Sequence, residues 1–203
     1  EELFKQIETF AAYGFNKAHA ASYGIVAYWT AYIKAHYPVE YMTSLMSVEA
    51  GDTDKVVASI AECETLGIRV LAPDINESRT DFTVVDIPKD QRLAEGRAKD
   101  TGKAIRFGLS AIKNVGASAI TAILEARKKA EFKSFTDFLY RVDLAKVNKK
   151  VVESLIKVGA LDRWGNRAQL LSALPIIRDN AVKIQKGKDD SQVSLFAAVT
   201  HEE

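Results

Sequence analysis

Twice in the second half of this sequence, apolar residues at helical spacing run up to a glycine, and helical spacing resumes within a few residues. The first copy is Leu109-Ser110-Ala111-Ile112-Lys113-Asn114-Val115-Gly116-Ala117-Ser118-Ala119-Ile120, running on to Ile123, Leu124 and Arg127. The second is Val151-Val152-Glu153-Ser154-Leu155-Ile156-Lys157-Val158-Gly159-Ala160-Leu161-Asp162, followed by a helix expected from about Asn166 to Leu174. Glycine permits a reversal that a side chain would obstruct, so each copy predicts two helices joined by a tight turn, a loose internal repeat. Two helical turns ended by glycine in an ordinary bundle would give the same pattern.

Charge distinguishes the halves. Residues 1–100 carry 10 Lys+Arg and 16 Asp+Glu, net −6, whereas residues 101–203 carry the other 18 and 11, net +7. The basic half is a candidate polyanion binder, though a solvated basic face would look alike. The two copies resemble helix-hairpin-helix motifs, and that resemblance implies binding to the DNA backbone without sequence preference. The physics suits the motif, because backbone N–H groups at the start of a helix favour a phosphate. Lys113, Arg127, Lys128, Lys129, Lys149, Lys150, Lys157, Arg163 and Arg167 would add a sequence-independent attraction. The motif's Gly-x-Gly turn keeps its first glycine at Gly116 but has Ser118 at the second, and the other copy keeps only Gly159. The first hairpin, with Lys113, Asn114, Gly116, Ala117 and Ser118, is therefore expected to grip phosphate. The second is expected mainly to pack beside it, with Lys149, Lys150, Gly159 and Arg163 also expected to contact DNA.

The first 67 residues read as helical. Leu3, Phe4, Ile7 and Phe10 recur at helical spacing until Tyr13-Gly14-Phe15-Asn16 interrupts them. A long helix is expected from about Lys17 to Tyr37, ended by Pro38, then one from Val39 to Val48 and one from Thr53 to Leu66, with Asp52 or Thr53 as cap and Gly67 as stop. The apolar run Ala18 to Ile33 is flanked by Lys17 and Lys34 and contains His19. It falls short of the roughly 20 apolar residues that span a bilayer, so a buried helix is expected and no membrane partner. Next come Gly67 to Pro73, Phe82 to Val85 and Ala104 to Phe107, rich in the β-branched and aromatic residues of strands, which predict a small β element near residues 68–108. Lys89 to Lys103 is expected to form an exposed loop. Helix returns after Leu109 to about Lys186, a polar break at Gly187-Lys188-Asp189-Asp190-Ser191 follows, and a flexible tail is expected over 187–203.

Lys17 and His19 fall in the first turn of the long helix, with Asn16 as its expected cap, so free N–H groups and two potential cations converge. Tyr23 lies one turn beyond His19 on the same face. A nucleoside triphosphate would suit such an arrangement. A capped helix with a solvated lysine and a core-edge histidine is the plainer alternative.

The run Phe15-Asn16-Lys17-Ala18-His19-Ala20-Ala21-Ser22-Tyr23, continuing through Tyr28-Trp29-Thr30-Ala31-Tyr32-Ile33-Lys34-Ala35-His36-Tyr37-Pro38, resembles the fingers region of the bacterial polymerase III alpha subunit. Ala18 stands where that family usually has serine. Ala72-Pro73-Asp74-Ile75-Asn76-Glu77-Ser78, then Ile105-Arg106-Phe107-Gly108-Leu109, then the paired hairpins resemble it in the family's order. The resemblance implies that residues 1–105 form the distal fingers, that 106–186 form a tandem helix-hairpin-helix domain holding duplex DNA, and that Asn16, Lys17, His19 and Tyr23 lie toward the incoming nucleotide. It implies two-metal phosphoryl transfer in the whole enzyme, with Mg2+ held by carboxylates of the palm. The acids here are scattered, so no cofactor, no metal and no catalytic residue is expected within this chain, and no primer extension by it alone.

Gln192-Val193-Ser194-Leu195-Phe196 resembles the pentapeptide by which bacterial polymerases bind the sliding clamp. Leu195 and Phe196 would fill an apolar pocket while Gln192 supplies hydrogen bonds. Folding back of Leu195 and Phe196 onto the hairpin domain is the alternative. The expected partners are primer-template DNA, a deoxynucleoside triphosphate, the clamp (beta subunit) and the remaining polymerase III holoenzyme subunits. Cys63, the single cysteine, and the lack of a leader pattern at the amino end lead to an expectation of a reducing cytoplasm. The start at Glu1-Glu2-Leu3-Phe4, without Met and already helical in pattern, leads to an expectation of a longer parent chain. A free-standing helix-hairpin-helix accessory protein that recruits the clamp is the second reading. An enzyme built on His19, His36 or Cys63 is a third, which no nucleophile and base spacing supports.

Overall fold

The computed structural model describes residues 1–12, 17–88 and 102–197, with side chains described for 1–8, 17–88 and 102–185. Asn16, most of the Lys89 to Lys103 stretch and residues 198–203 lie outside it. Among the described residues the chain is mainly helical with one small sheet, the expected fold class. Helices α1 (Glu2–Ala12), α2 (Lys17–His36), α3 (Pro38–Val48) and α4 (Thr53–Thr65) come first. Pro38 opens α3 rather than preceding it, since a first-turn residue needs no N–H partner. Asp52 caps α4 by accepting from the N–H groups of Asp54 and Lys55 at 3.2 and 3.3 Å. Gly67, at φ 72°, reverses the chain after it, and the Ile68 N–H donates back to the Cys63 carbonyl at 2.8 Å.

Strands β1 (Arg69–Leu71), β2 (Thr83–Asp86) and β3 (Lys103–Arg106) form a sheet in the order β1-β3-β2, β3 lying parallel to β1 and antiparallel to β2. Val70, Ile105 and Val84 are in register across it. Helices α3 and α4 cover one face, and Val39, Met42, Met46, Val56, Cys63, Ile68, Phe82 and Ile105 make a first core. Lys103 donates to Glu40 at 2.6 Å across that face. Burial, with a smaller push from Glu62, raises the Cys63 thiol to about 11. Cys63 is therefore a core thiol at neutral pH and not a thiolate nucleophile.

A second core is built from α5 (Ala117–Lys129), α6 (Phe135–Arg141), α7 (Lys149–Val158) and α8 (Arg167–Ala197), around Phe138, Leu139, Ile123, Leu155, Ile156, Leu161 and Leu174. The Asp74–Ser78 loop ties the two cores together. Ile75 is fully buried in the second core, and its N–H donates to the Ala160 carbonyl at 2.9 Å. The Asn76 amide both donates to the Phe132 carbonyl and accepts from the Phe132 N–H, at 2.8 and 2.9 Å. Ser78 Oγ donates to the Phe107 carbonyl at 2.7 Å. These bonds satisfy polar groups that would be costly to bury alone. So the second core draws on a residue 30 positions before the 105/106 boundary expected from sequence.

Two helices depart from expectation. α2, expected buried, has no buried residue: Tyr23, Tyr28 and Trp29 are 64%, 66% and 59% exposed. Its apolar side chains encircle the helix, so α3, packed along one side, cannot cover them all. α8 runs through Pro175 and through the expected break at 187–191 to Ala197. A single glycine there costs about 1 kcal/mol, and the Lys and Gln residues around it favour helix. Gln192, Leu195 and Phe196 fall in its last turns, with their side chains outside the described residues.

Candidate nucleic-acid interface

The first hairpin differs in form from the sequence expectation. Its leading limb is a single 3₁₀ turn, Leu109–Ala111, rather than an α-helix. Gly108 presses against the preceding loop so closely that a Cβ would lie 2.5 Å from the Asp81 carbonyl carbon and 2.6 Å from the Phe82 nitrogen. The chain then turns through Lys113 and Asn114. Asn114 holds φ 69°, the one positive φ outside glycine among the described residues, and asparagine tolerates it better than most. Ile112 and Val115 anchor the turn in the second core.

Gly116 then starts α5 at φ −82° and ψ 166°, with no side chain capping the helix. Lys113, Asn114, Gly116, Ala117 and Ser118 are all exposed. The Ala117 and Ser118 N–H groups have no intrahelical acceptor, whereas the Ala119 N–H already donates to the Gly116 carbonyl at 3.0 Å, and the helix dipole adds positive potential there. A Cβ built on Gly116 would meet nothing within 4 Å. Neither backbone geometry nor internal packing requires glycine at this position, yet its absent side chain leaves the helix start open to close approach from outside.

The second hairpin is closed. Gly159 ends α7 in the left-handed region at φ 88°, its N–H and that of Ala160 donating back to the last carbonyls of the helix. A Cβ there would lie 2.4 Å from Arg167 Nη2 and 2.7 Å from Asp162 Oδ2. Arg167 fills the turn: Nε donates to Asp162 Oδ1 at 2.9 Å, and Nη1 donates to the Lys157 carbonyl at 3.1 Å. That pairing holds the Asp162 carboxyl below, and the Arg167 guanidinium above, their ordinary pKa values. A carboxylate at the turn opposes a phosphate. Gly159→Ala is expected to destabilise the chain by about 1–3 kcal/mol, through the left-handed φ and displacement of Arg167. A thermal melt checks this, and an unchanged midpoint would refute it.

Asn114 Nδ2 donates to Ser154 Oγ at 3.2 Å, setting the first turn against α7. Lys150 lies four residues before Ser154 and Lys157 three after it, so both stand on the face of α7 that meets the turn. Lys149 and Lys150 are exposed, with Lys149 3.9 Å from Glu153. Three arginines expected to face DNA are engaged internally instead. Arg163 sits 3.2 Å from Asp74 and 3.7 Å from Glu77. Arg127, half-buried, donates through Nη1 to the Ile75 and Ser78 carbonyls at 2.9 and 2.8 Å. Arg167 is the third.

Lys17 opens α2, and His19 lies 4.3 Å from Tyr23 between ring centroids, all three exposed. Lys34, at the other end of α2, pairs with Glu62, and this hydrogen bond raises its pKa above the ordinary lysine value. Among the described residues no three His, Cys, Asp or Glu gather as a metal site would need, and no helix is long and apolar enough to cross a membrane.

The family described as "Helix-hairpin-helix motif" matches residues 67–170, half of the chain. The chain belongs to the helix-hairpin-helix family. The matched span begins at Gly67, before β1, so it takes in the sheet and the Asp74–Ser78 loop as well as both hairpins. The DNA polymerase III subunit alpha of Thermus aquaticus is 49% identical to this helix-hairpin-helix chain over 199 residues, 97% of the chain. That of Saccharopolyspora erythraea is 43% identical over 97% of the chain, and that of Deinococcus radiodurans 44% identical over 85%. The chain spans 15%, 15% and 12% of the length of these relatives.

Proposed function

We propose that this chain is the hairpin-bearing segment of a bacterial replicative polymerase, and that its first hairpin grips the sugar-phosphate backbone of duplex DNA. The observation that carries this reading is the start of α5. Gly116 leaves an uncapped, exposed helix end with open space where a side chain would stand, beside Lys113 and the lysine face of α7. A phosphate entering there would meet the N–H groups of Ala117 and Ser118 and the helix dipole, without reference to base sequence. The second hairpin, its turn filled by Arg167 and Asp162, acts as a strut.

The likeness to polymerase III alpha relatives supports the wider setting. In this reading Asn16, Lys17, His19 and Tyr23 face an incoming deoxynucleoside triphosphate, and the catalytic carboxylates and their Mg2+ belong to parts of the polypeptide outside this chain. The remaining holoenzyme subunits and a cytoplasmic location follow from the same reading. The free-standing accessory alternative is disfavoured by α2, whose exposed aromatic surface suits a helix covered by more of its own polypeptide.

Titration of a fluorescent primer-template duplex at several salt concentrations tests the proposal. Binding should ignore sequence, weaken steeply with salt and collapse in the Lys113→Glu, Gly116→Pro double variant. Absence of binding at low salt would make both hairpins structural. Gln192, Leu195 and Phe196 are proposed to hold the sliding clamp. Truncation after Asp190 should abolish clamp capture in a pull-down, and undiminished capture would refute it.

A further inference from the structure

Between the Arg79–Thr83 segment and the C-terminal half of α5 runs an open groove of about 800 Å³, lined by Arg79, Thr80, Asp81, Leu124, Arg127 and Lys128. It lies at the far end of α5 from the Gly116 turn. We propose that this groove is a second phosphate-binding site, holding the backbone of the same DNA that the first hairpin grips. The inference rests on the duplex reading above.

The groove is rigidly tied to the hairpin. The Leu109 and Ser110 N–H groups donate to the Arg79 and Thr80 carbonyls, both at 2.9 Å. Gly108 seats its backbone against Asp81, where no side chain would fit. The two contact points therefore move as one body. Twelve residues of α5 separate Gly116 from Lys128, a rise of about 18 Å, or about five base-pair steps of 3.4 Å. One face of a duplex can reach both.

Among the described residues Arg79 has no ion pair. Arg127 is fixed by the Ile75 and Ser78 carbonyls, and its pKa lies below the ordinary arginine value. Burial is the main cause, Asp74 opposes it, the Arg79 guanidinium adds to it, and Glu131 opposes it in turn. Arg79 and Arg127 both line the opening, so a phosphate entering it would meet two guanidinium groups. Asp81 is the acid in the lining, and its Oδ1 accepts from Ser110 Oγ at 3.4 Å. Lys128 pairs with Glu125 within its own helix, both exposed, a pairing worth little and easily exchanged for a phosphate. Thr80 adds a hydroxyl and Leu124 an apolar wall for a sugar.

The test uses the full chain and a fluorescent duplex of about two helical turns. Arg79→Glu with Lys128→Glu should weaken binding ten-fold or more and lower the slope of log K against log salt by about 1.8, the loss of two phosphate contacts. The neutral pair Arg79→Gln with Lys128→Gln should lose the same slope, and Lys55→Glu on α4, a charge-reversal control, should not. Helix content and melting midpoint should stay unchanged, since both side chains are exposed. Wild-type affinity and slope in the groove variants, alongside loss of binding in Gly116→Val, would overturn the groove and leave the hairpin. Loss in the groove variants with normal binding by Gly116→Val would support the groove and overturn the hairpin. Absence of duplex binding by the unaltered chain would overturn both. Groove variants that hold duplex normally but release an oligo-aspartate peptide would assign the groove to an acidic protein segment and overturn the proposal.

Discussion

Gly116→Val should leave the fold intact while the chain loses most of its hold on duplex DNA. At φ −82° and ψ 166° the position lies in the extended region that β-branched residues favour, and the new side chain meets open space. Restricting the unfolded chain stabilises by about 0.4–1 kcal/mol, and replacing glycine with a poorer cap costs about as much, so the melting midpoint should hardly move. The isopropyl group would occupy the space a phosphate must enter, and affinity should fall at least ten-fold, about 1.4 kcal/mol. Equilibrium titration beside a thermal melt separates the two effects. Unchanged affinity would remove the first hairpin from the interface. The contrast with Gly159→Ala, where stability falls instead, distinguishes a glycine that makes room for a ligand from one that makes room for its own protein.

Phe138→Ala should be the most damaging single truncation. Phe138 is fully buried, meets Phe132 edge-on at 5.1 Å between centroids and lies 6.3 Å from Trp164. Removing a phenyl ring from such a site costs about 3–5 kcal/mol, which for a chain of this size lowers the midpoint by about 10 °C. Duplex binding should fail at the new, lower melting range rather than before it. Circular dichroism melts read the shift, and a fall of under about 2 °C would mean that the second core can close over the cavity.

The features legible in the sequence were those set by near neighbours. Asp52 could be named as a cap and Gly67 as a stop because both act within four residues of themselves. The strands were legible because β-branched residues clustered between turn residues. The fate of the arginines was not: Arg127 answers to carbonyls 52 and 49 positions away, and Arg163 to acids 89 and 86 positions away. Charge counting saw cations and had no means of seeing what they hold. Ile75 reads as one apolar residue in a loop, and only the fold shows that it belongs to the second core. α2 shows the converse limit, since hydropathy reported that its surface wants cover but not which element provides it. For the first hairpin, the glycine position was readable, whereas the shortness of its leading limb followed from the contact of Gly108 with Asp81, 27 residues earlier.

The Asp74–Ser78 loop also sets an order of events during synthesis. Its partners, Phe132 and Ala160, leave the ribosome long after it does, and the 85 residues from Asn76 to Ala160 take about 4–17 s to make at about 5–20 residues per second. Until then Asn76 and Ile75 have only water to meet, and the first core must form with its neighbouring loop still open. Closure is thus a late, long-range step, in which a segment made early waits for partners made well after it.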